Sequence, residues 1–485
     1  MDGERNMTEP VTGAPWKEVG ATSRFFLPVI AAAVFLSVLS NSMIYVAGAD
    51  MAEEFAASSA EIAWVFTGFS LAYGIAVPLY GGMSDAFGAR RFLLSGLLVF
   101  ALGGLLCALS QDLVTLIIGR AVQAVGGAAV PALASVVIAK ALPAGNRGGA
   151  FGLLASSVGI GAAAGPAIGG ILTDTMGWRT LFFGSAVLAL LLLPFFLHAL
   201  PRDEGTGERR ADLAGGVLLG TAAGALLLAM AEGSAQGLFS PEGMGYLAVS
   251  IVAAIAFAWW ICRAEHPFVP PSLFANRDYL AIAAMAFLAM GANLSALIFA
   301  SLLAVREIGL SPGMAGLALT PGAVASALLS PAAGRLSDQY GTRTPTLAGL
   351  AVMALALLAI STFGTGNSVL LLALGMIGVS AGFAFVQTPL TNAAANTLRP
   401  AELGAGMGVF SGAFFLGGAA GPVLVGGILT ARASAGEAYN PFHAFGVAAF
   451  SDAFLLLAFA PLAAFAVGFV LLFTKRGRGR DEIDP

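Results

Sequence analysis

The chain has 485 residues, 58% of them hydrophobic and 10% charged, with a formal net charge of −4. Soluble domains carry about 25% charged residues, so this composition could not cover a water-exposed surface of such size. Apolar stretches longer than about 18 residues recur along the chain and alternating β-barrel patterning does not, which leaves an all-α polytopic membrane protein.

In chain order the hydropathy pattern predicts fourteen spans, near 26–47, 60–82, 91–110, 113–139, 149–172, 180–199, 212–232, 243–262, 279–304, 313–333, 344–364, 367–397, 403–430 and 452–474. The first run ends in Ala47-Gly-Ala49, which resembles a signal-peptidase site. That run is about 20 residues long and a signal h-region only about 7–15, so it reads as a retained helix. Arg202 to Asp212 is a polar linker, and Arg263 to Pro271 is a second, proline-stiffened one. The expected organisation is an N-terminal segment 1–25, a six-helix bundle 26–200, a linker 201–211, two inserted helices 212–262, a linker 263–278, a second six-helix bundle 279–474 and a tail 475–485.

Lys and Arg placement sets orientation. With the N-terminus in the cytoplasm, only Arg179, Arg306 and Arg432 of the 23 basic residues fall on the opposite side, while Arg120 lies inside a span. Both termini are therefore expected to be cytoplasmic. The first external loop, Asp50 to Glu54, is acidic in keeping with this.

Two patterns repeat. Gly81-Gly-Met-Ser-Asp-Ala-Phe-Gly-Ala-Arg-Arg91 returns as Gly334-Arg-Leu-Ser-Asp-Gln-Tyr-Gly-Thr-Arg343, with Asp85 and Asp338, Gly88 and Gly341, and Arg90 and Arg343 each 253 residues apart. Gly165-Pro-Ala-Ile-Gly-Gly170 returns at Gly421 to Gly427, with Pro166 and Pro422 256 residues apart. Nearly equal offsets for unrelated patterns imply a duplicated unit, and transporters place their site between such repeats. Glycine permits a tight turn between spans 2 and 3. An acid at Asp85 and a base at Arg90 across that turn could pair as a conformational latch.

Arg120 is a charge within an apolar span, costly there and functional by default, and Gln123 shares its helix face. Gly161, Gly165 and Gly169 form a smooth stripe around Pro166, which removes a backbone hydrogen bond; this suits a helix that packs closely and bends. The three histidines, His198, His266 and His443, and the two cysteines, Cys107 and Cys262, are scattered, so no metal site, cofactor or disulfide framework is expected. There is no nucleophile–base pair, zinc motif or phosphate-binding loop, and basic residues flank spans rather than cluster. Neither an enzyme nor a nucleic-acid binder follows.

Gly81 to Arg90 resembles the loop 2–3 signature of the major facilitator superfamily. Leu116-Ile-Ile-Gly-Arg-Ala-Val-Gln-Ala-Val-Gly-Gly127 resembles the helix-4 signature of its drug exporters, and Gly159-Ile-Gly-Ala-Ala-Ala-Gly-Pro-Ala-Ile-Gly-Gly170 the helix-5 antiporter signature. Gly177-Trp-Arg-Thr-Leu-Phe182 is also similar. Asn146-Arg-Gly-Gly-Ala-Phe-Gly152 and Leu403-Gly-Ala-Gly-Met407 are closest to Gram-positive tetracycline exporters. The resemblance, with two extra central helices, implies the fourteen-helix drug:proton antiporter branch in a bacterial cell membrane. It implies proton-coupled efflux of amphipathic small molecules, and a part for Arg120 in proton transfer. Contact with an anionic substrate group, or with carbonyls of a neighbouring helix, remain the alternatives for that arginine.

The chain departs from that branch at two points. Asn41 stands where an acid is usual in helix 1, and Ala162 where tetracycline exporters carry a glutamate. Asn293 lies 252 residues after Asn41, so the halves are expected to present paired asparagines to a central cavity. An amide binds substrate but carries no proton. The acids near the membrane are Glu61, Asp85, Glu232, Asp338 and Asp452, all read at span edges, and Glu61 is the remaining protonation candidate. Tyr45, Gln387, Asn392, Phe414 and Phe415 are further cavity candidates. The alternative function is a facilitated or differently coupled transporter of a metabolite or lipid.

Overall fold

The computed structural model describes residues 19–57, 59–200, 212–236, 240–265, 267, 269–310, 312–366, 368–432, 436–443 and 446–478. Residues 1–18, the linker 201–211, His266 and the tail beyond Arg478 lie outside these. The first half contains α1 (Val19–Ile44), α2 (Gly48–Glu54), α3 (Ser59–Phe87), α4 (Ala89–Ala108), α5 (Leu113–Ala141), α6 (Arg147–Met176) and α7 (Arg179–Ala199). α8 (Leu213–Gln236) and α9 (Pro241–Ile261) follow. The second half contains α10 (Ser272–Ala275), α11 (Arg277–Arg306), α12 (Pro312–Tyr340), α13 (Arg343–Ala359), α14 (Val369–Thr397), α15 (Leu403–Ala431) and α16 (Ala448–Arg478).

Several helices begin where local chemistry satisfies their free N–H groups. Asp112 accepts from Thr115 N at 2.8 Å, Asn276 from Tyr279 N at 3.1 Å, and Ser240 from Gly243 N at 3.2 Å ahead of Pro241. Among the described residues, ten prolines, including Pro78, Pro131, Pro166 and Pro331, lie inside helices. Buried helices in a membrane protein tolerate this because neighbours re-satisfy the freed carbonyls.

Among the described residues, 13 helices are long and apolar enough to cross a membrane. α8 contributes a shorter apolar stretch, Ala214–Met230, where a fourteenth span was expected. α1 starts at Val19 and α16 continues to Arg478, so these helices run past the expected span edges at 26 and 474.

Within the first half, α4 packs on α5 and α7, α3 on α5, and α1 on α6 and α7. The second half repeats the scheme, with α12 and α13 on α14 and α11 on α15 and α16. Two seams join the halves, α6 with α12 and α3 with α15. α8 pairs with α9 and lies across both α3 and α15.

The seams close at one end only. Gly148 and Gly334 approach so tightly that a Cβ on either would strike the other's carbonyl, and Gly81 and Gly404 do the same. Further along, Gly152 lies against Ser330 and Pro331, Gly159 against Ala327, and Gly408 against Pro78 and Gly81. Beyond these, neighbours are within the same half: Gly161, Gly165 and Gly169 abut α1, while Gly417 and Gly421 abut α11. The halves are therefore sealed at the Asp85 end and part toward the Tyr45 end.

Candidate functional site

The parting of the halves leaves a central cavity of about 830 Å³. Its walls come from α1, α3, α5, α6, α8, α11, α12, α14 and α15. Asn41, Tyr45, Asn293 and Gln387 line it as expected, together with Phe414, Phe415 and Ala162. Among the described residues, none that lines it is Asp, Glu, His, Lys or Arg.

Aromatic rings run across the cavity in a continuous series. Phe69 stacks on Tyr73 at 5.7 Å, and Tyr73 meets Phe415 of the other half edge-on at 5.3 Å. Phe415 meets Phe414 at 5.9 Å, and Phe414 meets Phe383 at 6.1 Å. All five line the cavity. Phe69, Tyr73 and Phe383 were not singled out from sequence, because an aromatic in an apolar span carries no sign of which way it faces. Leu219, Ala223 and Leu227 of α8 also reach the wall, four residues apart on one helix face.

Arg120 takes one of the alternatives open to it, contact with a carbonyl of a neighbouring helix. It is 1% exposed and, with Gln123, lies behind the wall rather than on it. Its Nη2 donates to Asn41 Oδ1 at 3.0 Å, Nη1 to Gln123 Oε1 at 2.9 Å and Nε to Val65 O at 3.4 Å. Its guanidinium sits 4.0 Å from the centroid of the Phe69 ring. Asn41 and Phe69 thus form the surface through which this buried charge meets the cavity. Asn41 belongs to the Arg120 cluster, while Asn293 lines the wall from the other half.

The repeated motif turns as its glycines predict: Gly88 has φ 91° and Gly341 φ 80°, the left-handed region that favours glycine. The latch pairing is corrected. Asp85 forms its ion pair with Lys140 Nζ at 2.9 Å and accepts from Ala405 N at 2.8 Å, while Arg90 Nη2 donates to Leu197 O at 2.8 Å. Asp338 Oδ1 and Oδ2 accept from Gly148 N at 2.9 Å and Gly149 N at 3.1 Å. The turn carries Arg90 toward the end of α7, so each aspartate looks across a seam instead. Asp85 of α3 caps the start of α15, and Asp338 of α12 caps the start of α6. A carboxylate at a helix N-terminus meets free N–H groups and the positive end of the dipole. The two seams are therefore held by the same device with the halves exchanged. Arg343 begins α13, matching Arg90 in α4.

Two further expectations change. Asn392 does not line the cavity; its Nδ2 donates to Ser337 Oγ at 3.0 Å and Asp338 Oδ1 at 3.2 Å, so it steadies the second latch. Glu61 is exposed near the start of α3 and is not among the cavity-lining residues, so a proton site there has no direct route to substrate. Asp452 is buried, 3% exposed, and bound by Arg432 Nε at 2.8 Å and Tyr439 N at 2.6 Å. The stripe of Gly161, Gly165 and Gly169 packs against Phe35, Ser42 and Met43 of α1, whereas a Cβ at Gly170 would come no closer than 3.8 Å to Val46. Cys107 and Cys262 are both free.

The chain matches the Major Facilitator Superfamily model over residues 30–278 and 280–483. It is 30% identical over 406 residues to the multidrug resistance protein Stp of Mycobacterium tuberculosis, covering 83% of this chain and 75% of Stp. It is 27% identical over 384 residues to the riboflavin transporter RibZ of Clostridioides difficile, covering 78% of this chain and 82% of RibZ. With the multidrug transporter MdtP of Bacillus subtilis it shares 26% identity over 403 residues, covering 82% and 74%. Among solved structures, the human organic anion transporter MFSD10 superposes with TM-score 0.64 at 17% identity, covering 92% of this chain and 99% of that one. The proton:xylose symporter XylE superposes with TM-score 0.65 at 15% identity, covering 92% and 95%. The helical architecture, the cavity between the halves and these matches together make the chain a multi-span membrane transporter, not an enzyme, and it belongs to the Major Facilitator Superfamily.

Proposed function

We propose that the protein is a secondary exporter of amphipathic small molecules that works by alternating access. The observation that carries this reading is the aromatic-lined cavity between the halves, sealed at one end by two interchanged carboxylate–helix latches. Rocking that breaks both latches and closes the Tyr45 end would present the same cavity to the other side. The names of Stp and MdtP support efflux of drugs. The layout is six helices, two inserted helices and six more, with α8 as the fourteenth span, in a bacterial cell membrane. The placement of basic residues puts both termini and the Asp85 end in the cytoplasm. The sealed cytoplasmic end then makes this the outward-facing state.

The sequence offers no phosphate-binding loop, so uphill transport draws on an ion gradient. The resemblance to drug:proton antiporters supports proton coupling, with the proton carried outside the cavity. The absence of any acid or histidine from the cavity wall favours a second reading, facilitated or differently coupled transport of a metabolite. The test is flux in proteoliposomes with an imposed inward proton gradient, over a panel of neutral, anionic and cationic amphipaths that includes tetracycline with magnesium. Uphill movement that collapses with a protonophore supports antiport. Movement indifferent to the gradient selects the second reading, and no movement of any compound above protein-free vesicles refutes both.

A further inference from the structure

The cavity borders a positive charge that no carboxylate balances. Among the described residues, the partners of Arg120 are the Asn41 and Gln123 amides, the Val65 carbonyl and the Phe69 and Phe182 rings, all neutral. The wall itself contributes no charge of either sign. A guanidinium remains protonated in such surroundings, so its field reaches the cavity through a neutral wall.

Asn41 is the group through which that field acts. Its Oδ1 is taken by Arg120, which leaves Nδ2 as the remaining polar group of the amide, and Asn41 lines the cavity. The site therefore offers N–H donors, polarised by the cation behind them. A substrate acceptor such as a carbonyl, carboxylate or phenolate completes this arrangement. An organic cation does not. It would lose water without gaining a counter-charge and would face Arg120. The Phe69 ring, which could otherwise attract a cation, already holds the guanidinium at 4.0 Å.

We infer that the cavity selects uncharged or anionic aromatic molecules that present a hydrogen-bond acceptor to Asn41, and that it rejects organic cations. This rests on the transport reading above and names its substrate class. The aromatic series from Phe69 to Phe383 supplies the stacking surface, and Asn41 with Arg120 supplies the orientation.

The test uses the purified full chain in nanodiscs and three probes on one scaffold: naphthalene carboxamide, naphthoate and naphthyl-trimethylammonium. Equilibrium binding is read by fluorescence. The carboxamide and naphthoate should each bind about tenfold or more tighter than the ammonium, a difference of about 1.4 kcal/mol. Asn41→Asp puts a carboxylate beside Arg120 and removes the donors, so acceptor probes should weaken about tenfold while the ammonium strengthens. Asn41→Ala removes the donors without adding charge, so only the acceptor probes should weaken; it carries the test if the aspartate variant does not fold. Ammonium binding equal to or tighter than the others in the unsubstituted protein overturns the inference. So does an unchanged ranking in the variants, or no binding of any of the three. Counterflow of the same probes in proteoliposomes separates the two claims: selective binding without movement leaves the ligand class standing and removes the exporter.

Discussion

Neutralising both latches should open the sealed end of the molecule. Asp85 accepts from Ala405 N at 2.8 Å and pairs with Lys140 at 2.9 Å, its side chain only 15% exposed. Asp338 accepts from two backbone N–H groups at 2.9 and 3.1 Å. A hydrogen bond to a charged group contributes about 1.5–3 kcal/mol net, and a carboxylate at a helix N-terminus about 0.3–1 kcal/mol at an exposed site, more when partly buried. Replacing either aspartate by asparagine keeps the shape and loses the charge, so about 2 kcal/mol of preference for the sealed state is lost at each seam. The latches lie on different helix pairs, so the losses should add to about 4 kcal/mol. That is roughly 30-fold in population for one variant and about a thousandfold for the pair. The assay is the distance between spin labels at the exposed positions of Arg91→Cys and Arg399→Cys, one in each half, with Cys262→Ser to remove the exposed native thiol. Asp85→Asn with Asp338→Asn should move the distribution to longer distances at the Asp85 end. A distribution unchanged from the parent would refute the argument that these carboxylates hold the seams.

Arg120→Ala should reduce transport to background while the protein remains in the membrane as a monodisperse species. It leaves the buried Gln123 Oε1 and the Asn41 amide without their donor, at about 1–3 kcal/mol each, and transport above a few per cent would remove Arg120 from the mechanism. Gly165→Ala drives a Cβ into Ser42 and should lower stability by about 1–3 kcal/mol, whereas Gly170→Ala, whose Cβ would meet Val46 at an ordinary contact distance of 3.8 Å, should be near neutral; equal melting temperatures would contradict the α1–α6 packing. The Glu54 carboxyl at the Tyr45 end is held below the usual carboxylate range, first by its hydrogen bond from Arg179 at 2.5 Å, despite an opposing effect of burial. A depressed folded pKa stabilises above the unfolded value near 4.5, and the contribution is lost as pH falls from there through the folded value. The side chains are 43% and 37% exposed, so screening keeps the effect below about 1 kcal/mol. The stability gap between the parent and Glu54→Gln should be constant at neutral pH and close below about pH 4.5, and a gap persisting in acid would count against the ion pair.

The sequence by itself determined the membrane class, because charge and hydropathy are properties of composition. It determined the two turns at Gly88 and Gly341, where a repeated motif demands a left-handed glycine. It marked Arg120 and Asn41, since a charge within a span and a missing acid are visible residue by residue. It misassigned the partner of Asp85 because it compared neighbours: Arg90 is five residues away along the chain, and Ala405, which the carboxylate caps, is 320 away. It placed Asn392 in the cavity, although that side chain serves a latch, and it carried no sign that Arg120 lies behind the wall. Phe69, Tyr73 and Phe383 of the ring series, and the contribution of α8 to the wall, had no sequence signal, because apolar spans bury residues against protein and lipid alike. Only the docking of the halves decided which aromatic faced the cavity and which face of each helix met its partner, because those contacts join segments with no local preference for one another.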